Sequence, residues 1–247
     1  MKIAYFDCFS GICGDMILGA LLDLGVDEGW FRGEIARLGL SGFTIEVRKV
    51  ESHHLWGTDV TIAVEEDQPH RSLADIRRII EDSSLSSAVK AKSMEVFTRL
   101  AEAEGRVHGI AAEKVHFHEV GAVDSIIDVV GAVLGVSALD VDMVLCSALP
   151  LGHGFVRCAH GLLPVPAPAT LELLKGVPVY QTEREQELVT PTGAAVITTL
   201  ASSFGPVPPM QISRVGYGAG KTKSEYPGLL RILLGALEEK RGRRKPG

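Results

Sequence analysis

The sequence is poor in cysteine, in aromatic side chains and in long apolar segments. Its four cysteines are too few for a disulfide framework in 247 residues and show no C-x-x-C spacing, which favours a reducing cytoplasm. The N-terminal segment is interrupted by Asp7 and does not resemble a signal peptide. The most apolar helix candidate, 122–139, contains Asp124 and Asp128 and is too short and too charged to span a bilayer. We therefore expect a cytoplasmic protein without a membrane partner.

Positive charge is also scarce, because the formal net charge is −6. This balance argues against a broad nucleic-acid surface, so we expect no nucleic-acid partner. With 46% hydrophobic and 23% charged residues, wholesale disorder is excluded. We predict a single domain over 1–239, followed by a basic flexible tail at 240–247. Contact of that tail with RNA or anionic lipid is left open.

Apolar periodicity predicts alternating strands and helices, which is typical of an α/β fold. We expect a mixed sheet with flanking helices and an antiparallel hairpin portion around Ser52–Gly57. Ser72 and Asp75 have the spacing of a capping box at a helix start. The predicted strands are 2–6, 43–50, 58–64, 142–147, 188–191, 210–217 and 229–234. The predicted helices are 15–24, 72–80, 88–107, 121–139, a short one that ends at Gly176, and one within 193–203.

The first candidate site is the loop 7–15, which leaves a strand and enters a helix. Helix N-termini offer unpaired N–H groups to phosphate or carboxylate, and Gly11 and Gly14 would admit a ligand close to the backbone. Ser10 adds a hydroxyl, while Asp7 and Asp15 are suited to bind a cation or to move a proton. The alternative is a tight turn in which Asp15 caps the helix.

The second candidate site is the segment 115–128. If it is extended, His116 and His118 project to one side, with Glu119 beside them. Asp124 and Asp128 share one face of a helix that is otherwise rich in valine and isoleucine, where carboxylates are costly unless paired or metal-bound. Imidazole with carboxylate suits a divalent ion such as nickel or zinc. The alternative is structural: a helix cap, an ion pair and polar core histidines.

The third candidate site is the glycine-rich segment 151–161, in which His153 and His160 flank Cys158. Thiolate and imidazole together form a plausible transition-metal set. The glycines are equally explained as turn residues of a hairpin, and this alternative stays open.

The remaining candidates are two anion sites. Gly216, Gly218 and Gly220 precede Lys221 in a segment that fails the P-loop pattern but could form a looser anion-binding turn. The segment 190–193 enters a helix and could present backbone N–H groups to an anion, although helix entry alone also explains it.

Six motifs occur in an order that resembles the LarC family of nickel insertion proteins, which act in lactate racemase maturation. The resemblance extends from Met1 to about Leu234. The motifs are Phe6-Asp-Cys-Phe-Ser-Gly11 with Gly14-Asp-Met16, His116-Phe-His-Glu-Val-Gly-Ala-Val-Asp-Ser125, Cys158-Ala-His-Gly161, Pro164-Val-Pro-Ala-Pro-Ala-Thr170, Leu188-Val-Thr-Pro-Thr-Gly193 and Gly216-Tyr-Gly-Ala-Gly220.

The resemblance implies a nickel chelatase, a lyase-type cyclometallase. Such proteins insert Ni²⁺ into pyridinium-3,5-bisthiocarboxylic acid mononucleotide, forming nickel–sulfur bonds and one nickel–carbon bond. The family reaction uses CTP with Mn²⁺ or Mg²⁺, and the nucleotide site belongs to the C-terminal part of the full-length protein. We therefore expect this chain to be the N-terminal portion, inactive without the C-terminal portion, with lactate racemase as recipient. A homo-oligomer is left open.

The residue patterns and the resemblance together predict three groups of site residues. The predicted catalytic residues are Asp7, Ser10, Asp15 and Asp124. The predicted cofactor-binding residues are Gly11, Gly14, Thr190, Thr192, Gly193, Gly216, Gly218 and Gly220. The predicted metal ligands are His116, His118, Glu119 and His160. A general base must remove the ring proton, and a histidine or a nearby aspartate fits that need. Two other functions stay open: a non-catalytic nickel or cofactor-binding module (a metallochaperone), and a metal-dependent phosphohydrolase.

Overall fold

A computed structural model describes residues 1–64, 71–117, 121–158, 161–222 and 225–238. The strands are β1 (Lys2–Asp7), β2 (Phe43–Ser52), β3 (Leu55–Val64), β4 (Arg71–Ser72), β5 (His116–Phe117), β6 (Met143–Cys146), β7 (Leu149–Leu151), β8 (Phe155–Cys158), β9 (Gly161–Pro164), β10 (Val179–Gln181), β11 (Ser203–Phe204), β12 (Met210–Ala219) and β13 (Leu229–Leu237). The α-helices are α1 (Gly14–Asp23), α2 (Glu28–Ala36), α3 (Leu73–Asp82), α4 (Ser87–His108), α5 (Val123–Ala138), α6 (Pro168–Leu173) and α7 (Pro191–Leu200). A 3₁₀ turn spans Ala112–Lys114.

The main sheet has seven strands in the order β11-β6-β1-β13-β12-β3-β2. Strand β1 runs parallel to β6 and antiparallel to β13, so the sheet is mixed as predicted. Strands β2 and β3 form the predicted antiparallel hairpin, in register from Phe43 opposite Val64 to Ser52 opposite Leu55. The α/β prediction is therefore confirmed. The predicted tail at 240–247 lies outside the described residues.

Helix α5 is the centre of the core. Side chains on all of its faces are buried, among them Val123, Ile126 and Val130, each with no exposed surface. Each such side chain contributes about 1.5–3 kcal/mol to folding through burial. A side chain at Gly131 would meet the Leu18 and Phe31 side chains at 2.8–3.0 Å, so neighbouring residues pack directly on the helix backbone. The predicted burial of this helix is confirmed.

Helix α1 lies directly on strand β12, because two strand glycines leave room for it. A Cβ atom on Gly218 would lie 1.7 Å from the Met16 carbonyl oxygen, and one on Gly216 would lie 2.3 Å from that of Ala20. Both glycines belong to a regular strand that continues to Ala219. The predicted anion-binding turn at 216–220 is therefore wrong for these two residues, which serve helix–sheet packing.

Other local predictions meet mixed outcomes. The capping box is present: the Ser72 hydroxyl and the Asp75 carboxylate each accept from the other's backbone N–H. The predicted strand 188–191 is wrong, since this segment makes one isolated bridge to Ile12 and then enters α7. Helix α2 was not predicted, and only Phe31 and Ile35 of its nine residues are buried. Too few apolar residues therefore mark its periodicity.

Among the described residues, no helix combines the length and the apolarity that crossing a membrane requires.

Candidate functional site

Three helices begin at one cleft. The first residues of α1, α5 and α7 surround a cavity of about 300 Å³, closed on another side by the apolar side chains of β3. Its lining residues are Cys13, Gly14, Asp15, Val60, Ile62, Asp124, Asp128, Thr190, Thr192, Lys221 and Thr222. Helix N-termini carry unpaired N–H groups and partial positive charge, so their convergence makes this cleft attractive to anions.

The helix starts differ in how they are capped. The Thr190 hydroxyl accepts from the Gly193 backbone N–H at 3.1 Å and caps α7. Cys13 and Ala122, which precede α1 and α5, provide no side-chain cap. An aspartate in the first turn of each helix partly replaces the missing side-chain cap. Asp15 accepts from the Met16 N–H and Asp124 from the Ser125 N–H, both at 2.8 Å.

Asp15 is fully engaged inside the cleft. Its Oδ1 also accepts from the Cys13 thiol, and its Oδ2 lies 3.3 Å from the Lys221 ammonium. Burial, together with the charge of Asp15, raises the pKa of Cys13, so the thiol stays protonated at neutral pH. Burial lowers the pKa of Lys221, but the acids around it outweigh this and raise it overall. Lys221 is therefore a positive charge fixed at the cleft.

Asp128, one helical turn after Asp124, differs from the other acids. Its Oδ1 is enclosed and has no hydrogen-bond partner among the described residues. Its Oδ2 occupies the place where a Gly14 side chain would begin, 2.2 Å from an ideal Cβ position. Burial raises the pKa of Asp128 well above its usual range, and the charges of Asp15 and Asp124 add to this, while Lys221 opposes it. A carboxyl in this state takes up a proton closer to neutral pH than an ordinary aspartate does.

A second cavity of about 390 Å³ adjoins the cleft. Cys13, Thr190, Lys221 and Thr222 line both, so these four residues stand at the junction. On its far side lies the β8–β9 hairpin, from which the Phe155 ring projects with 69% of its surface exposed. Glu185 and Glu187 also line the second cavity, so both compartments carry acidic side chains and the second adds an aromatic ring.

Ser10 and Asp7 are held by arginines. The Ser10 hydroxyl accepts from Arg184 at 2.7 Å and donates to the Pro227 carbonyl at 2.6 Å, and Ser10 lines the second cavity. Asp7 forms a two-pronged ion pair with Arg231, at 2.5 and 3.0 Å. Asp7 lines neither cavity.

The loop glycines shape the wall of the cleft. Gly11 has a positive φ of 105°, and a Cβ there would lie 2.0 Å from the Leu188 carbonyl oxygen. A Cβ on Gly193 would lie 2.4 Å from the Ile12 carbonyl oxygen. These contacts hold the loop before α1 against the segment before α7, where the Ile12 N–H donates to Leu188 at 2.8 Å. Gly220, in contrast, lines the second cavity, and its role in cofactor binding stays a prediction.

The predicted metal ligands are not brought together in the described structure. His116 is exposed on the short strand β5, opposite Ser72, and lines neither cavity. The predicted ligands His118, Glu119 and His160 lie outside the described residues. Within the described ranges, no three histidine, cysteine, aspartate or glutamate side chains are grouped so that they could hold a metal ion. The ligand set therefore stays a prediction.

Two site residues were not assigned a role from the sequence. For Asp128, the sequence signal was its position four residues after Asp124, on the same face of an otherwise apolar helix. An acid in such a helix could have been assigned to the site. Lys221 was noted only as the residue that follows the glycines of a segment failing the P-loop pattern. Its proximity to Asp15 depends on the packing of α1 against β12.

Comparisons with known proteins show which family this chain resembles. Residues 4–245 match the model of a family described as "Nickel insertion protein". A relative from Dictyoglomus thermophilum is 49% identical over 239 residues, which are 97% of this chain and 62% of the relative.

Two further relatives are named "Pyridinium-3,5-bisthiocarboxylic acid mononucleotide nickel insertion protein". The one from Desulfitobacterium hafniense (strain DSM 10664 / DCB-2) is 51% identical over 97% of this chain and 60% of the relative. The one from Acetivibrio thermocellus is 49% identical over 97% of this chain and 62% of the relative. The chain thus spans about three-fifths of the length of the curated relatives it matches. No solved structure matches it.

Proposed function

This chain belongs to the nickel insertion protein family, and from that membership we propose that it helps to insert Ni²⁺ into pyridinium-3,5-bisthiocarboxylic acid mononucleotide. The product in this proposal is the nickel pincer cofactor of lactate racemase, formed in the cytoplasm. The whole reaction uses CTP with Mn²⁺ or Mg²⁺, and we assign the CTP site to the C-terminal portion of the longer protein. This chain supplies the cleft in which precursor and nickel meet.

One observation carries the proposal: three helix N-termini and Lys221 line the same cavity as three aspartates. The precursor has matching chemistry, since it combines an anionic phosphate and two thiocarboxylates with a cationic ring. In our proposal the phosphate lies near Lys221 and the start of α7, where N–H groups and the ammonium stabilise it. The ring then extends toward Asp15 and Asp128, whose negative charge favours both the cationic ring and Ni²⁺.

The remaining site residues take supporting roles in this proposal. Ser10 and Gly220 line the second cavity, which we assign to the part of the mononucleotide that does not react. His116, His118, Glu119 and His160 remain the proposed donors that deliver nickel, because imidazole and carboxylate suit this ion. Nickel is a substrate here and ends in the product.

Calorimetry with the precursor and with its dephosphorylated nucleoside tests the phosphate position. We expect Lys221→Met to weaken precursor binding about 10–100-fold, because a charge-assisted hydrogen bond contributes about 1.5–3 kcal/mol. Nucleoside binding should change little, so the variant loses the preference for the phosphorylated form. Lys92→Met is the matched control, since Lys92 is paired with Glu95 on the exposed face of α4.

Equal precursor binding in the wild type and Lys221→Met would contradict the proposed position. Release of phosphate from simple esters without any precursor would instead favour a metal-dependent phosphohydrolase. Tight binding of precursor and Ni²⁺ without product, even when the C-terminal portion, CTP and Mn²⁺ are supplied, would favour a non-catalytic binding module.

A further inference from the structure

Asp128 is the acid in the cleft for which the proposed function uses only the negative charge and not the ability to take up a proton. Asp15 is engaged by Cys13, Met16 and Lys221, and Asp124 accepts from the Ser125 N–H. The enclosed Oδ1 of Asp128 has no partner in the described part of the chain, yet the residue lines the cleft. A buried polar atom without a hydrogen bond costs about 1–3 kcal/mol, which stability alone does not explain.

We propose that Asp128 is the proton acceptor of the insertion reaction: it takes the proton that leaves the pyridinium ring carbon as that carbon bonds to nickel. This inference rests on the proposed function and deepens it. Asp15 is excluded by its contacts, because taking a proton there would break its ion pair with Lys221. Asp128 has no such contact to lose among the described residues.

The proposed step balances without any oxidant or reductant. The ring C–H bond breaks, and its electron pair forms the carbon–nickel bond to Ni²⁺. The proton goes to the Asp128 carboxylate, which becomes a neutral carboxylic acid. The cleft then holds one negative charge fewer, which compensates for the charge that the ring carbon donates to the metal.

The surroundings of Asp128 suit this role. The groups that face it are Asp15 from α1, Cys13 just before α1, Asp124 from its own helix, and Lys221 after β12, with Val60 and Ile62 of β3 on the apolar side. Burial and the two acids make the carboxylate a stronger base than a solvated aspartate, and Lys221 limits this effect. A general base is most effective when its pKa lies near the working pH.

The test uses the protein together with the C-terminal portion of the proposed function, CTP, Mn²⁺, Ni²⁺ and precursor. We expect Asp128→Asn to slow insertion at least about 100-fold, because general bases contribute about 10²–10⁴-fold. Binding of the precursor by calorimetry should stay within a few-fold of wild type. Asp140→Asn is the matched control: the residue is exposed just beyond the end of α5, and its positive φ of 49° suits asparagine as well as aspartate.

Three further measurements separate proton transfer from a structural role. In the wild type the insertion rate should rise with pH through the titration of Asp128, and this rise should be absent in Asp128→Asn. Formate should restore part of the rate of Asp128→Ala but should not accelerate the wild type. A precursor deuterated at the reacting carbon should react more slowly than the ordinary one.

The outcomes are distinct. Insertion by Asp128→Asn at the wild-type rate overturns the proposal, and so does loss of precursor binding without any change in the pH profile. A wild-type protein that binds no precursor contradicts the proposed function itself, before any variant is compared.

Discussion

Asp7 and Asp128 are two acids of the same region with opposite surroundings. Asp7, at the end of β1, pairs with Arg231, and its hydrogen bonds raise the pKa of that arginine. Asp128, in the second turn of α5, has an enclosed oxygen without a partner among the described residues, and its own pKa is raised. The first arrangement stabilises the fold. The second lowers stability, which is the pattern expected where a group is kept for chemistry.

The largest predicted change in stability that tests this comparison of Asp7 with Asp128 is at Gly14. A Cβ there would lie 2.2–2.5 Å from the Asp128 carboxyl group, so Gly14→Ala should displace that side chain and lower the free energy of unfolding by about 2–3 kcal/mol. In an Asp128→Ala background the space is free, and the same change should have less than half this effect. Urea denaturation of the four proteins measures the coupling. If Gly14→Ala lowered the free energy of unfolding equally in both backgrounds, the helix backbone and not Asp128 would be the reason that position 14 requires glycine.

The next effect tests whether Asp7 is structural. A double-mutant cycle of Asp7→Asn and Arg231→Gln should give a coupling of about 1–2 kcal/mol in the free energy of unfolding, because the pair is two-pronged and partly buried. The exposed pair Glu46 and Arg48 provides the control, and its coupling should stay below about 1 kcal/mol. If the coupling between Asp7 and Arg231 were no larger than that between Glu46 and Arg48, Asp7 would not have the structural role that distinguishes it from Asp128.

The smallest predicted effect is an increase in stability instead of a loss. Asp128→Asn should increase the free energy of unfolding by about 1 kcal/mol at neutral pH, because the buried site disfavours the charged carboxyl that water stabilises in the unfolded chain. The folded-state pKa of Asp128 is raised, so the folded state binds its proton more tightly and the wild type loses stability as the pH rises from about 4 through that pKa. Denaturation of both proteins across this range should show the difference grow with pH. A difference that is constant with pH would contradict the raised pKa.

Local features of the fold could be predicted from the sequence. The hairpin of β2 and β3 follows from its alternating side chains, the start of α3 from its capping box, and the burial of α5 from its apolar faces. Each of these three signals is formed by residues that lie close together in the sequence. The strand predicted at 188–191 failed because tertiary contacts with the loop before α1 override a short apolar run.

The site was harder to predict, because its residues meet only through long-range packing. Asp15 and Asp128 face each other since α1 packs on α5, a contact that no motif encodes. Gly216 and Gly218 show how one residue type misleads, since a glycine that admits a helix looks the same in sequence as a glycine that admits a phosphate. The predicted ligands His118, Glu119 and His160 lie outside the described residues, so that part stays a prediction.

Two of the three cleft aspartates, Asp124 and Asp128, lie on α5, and this position restricts which substitutions the protein tolerates. Because every face of that helix is packed, a substitution that re-aims Asp124 or Asp128 also disturbs valine and isoleucine neighbours. Adaptation to another ligand is therefore easiest from the segments around the rim, such as the β8–β9 hairpin with its exposed Phe155. Related sequences should therefore differ less in α5 than in the segments around the cleft.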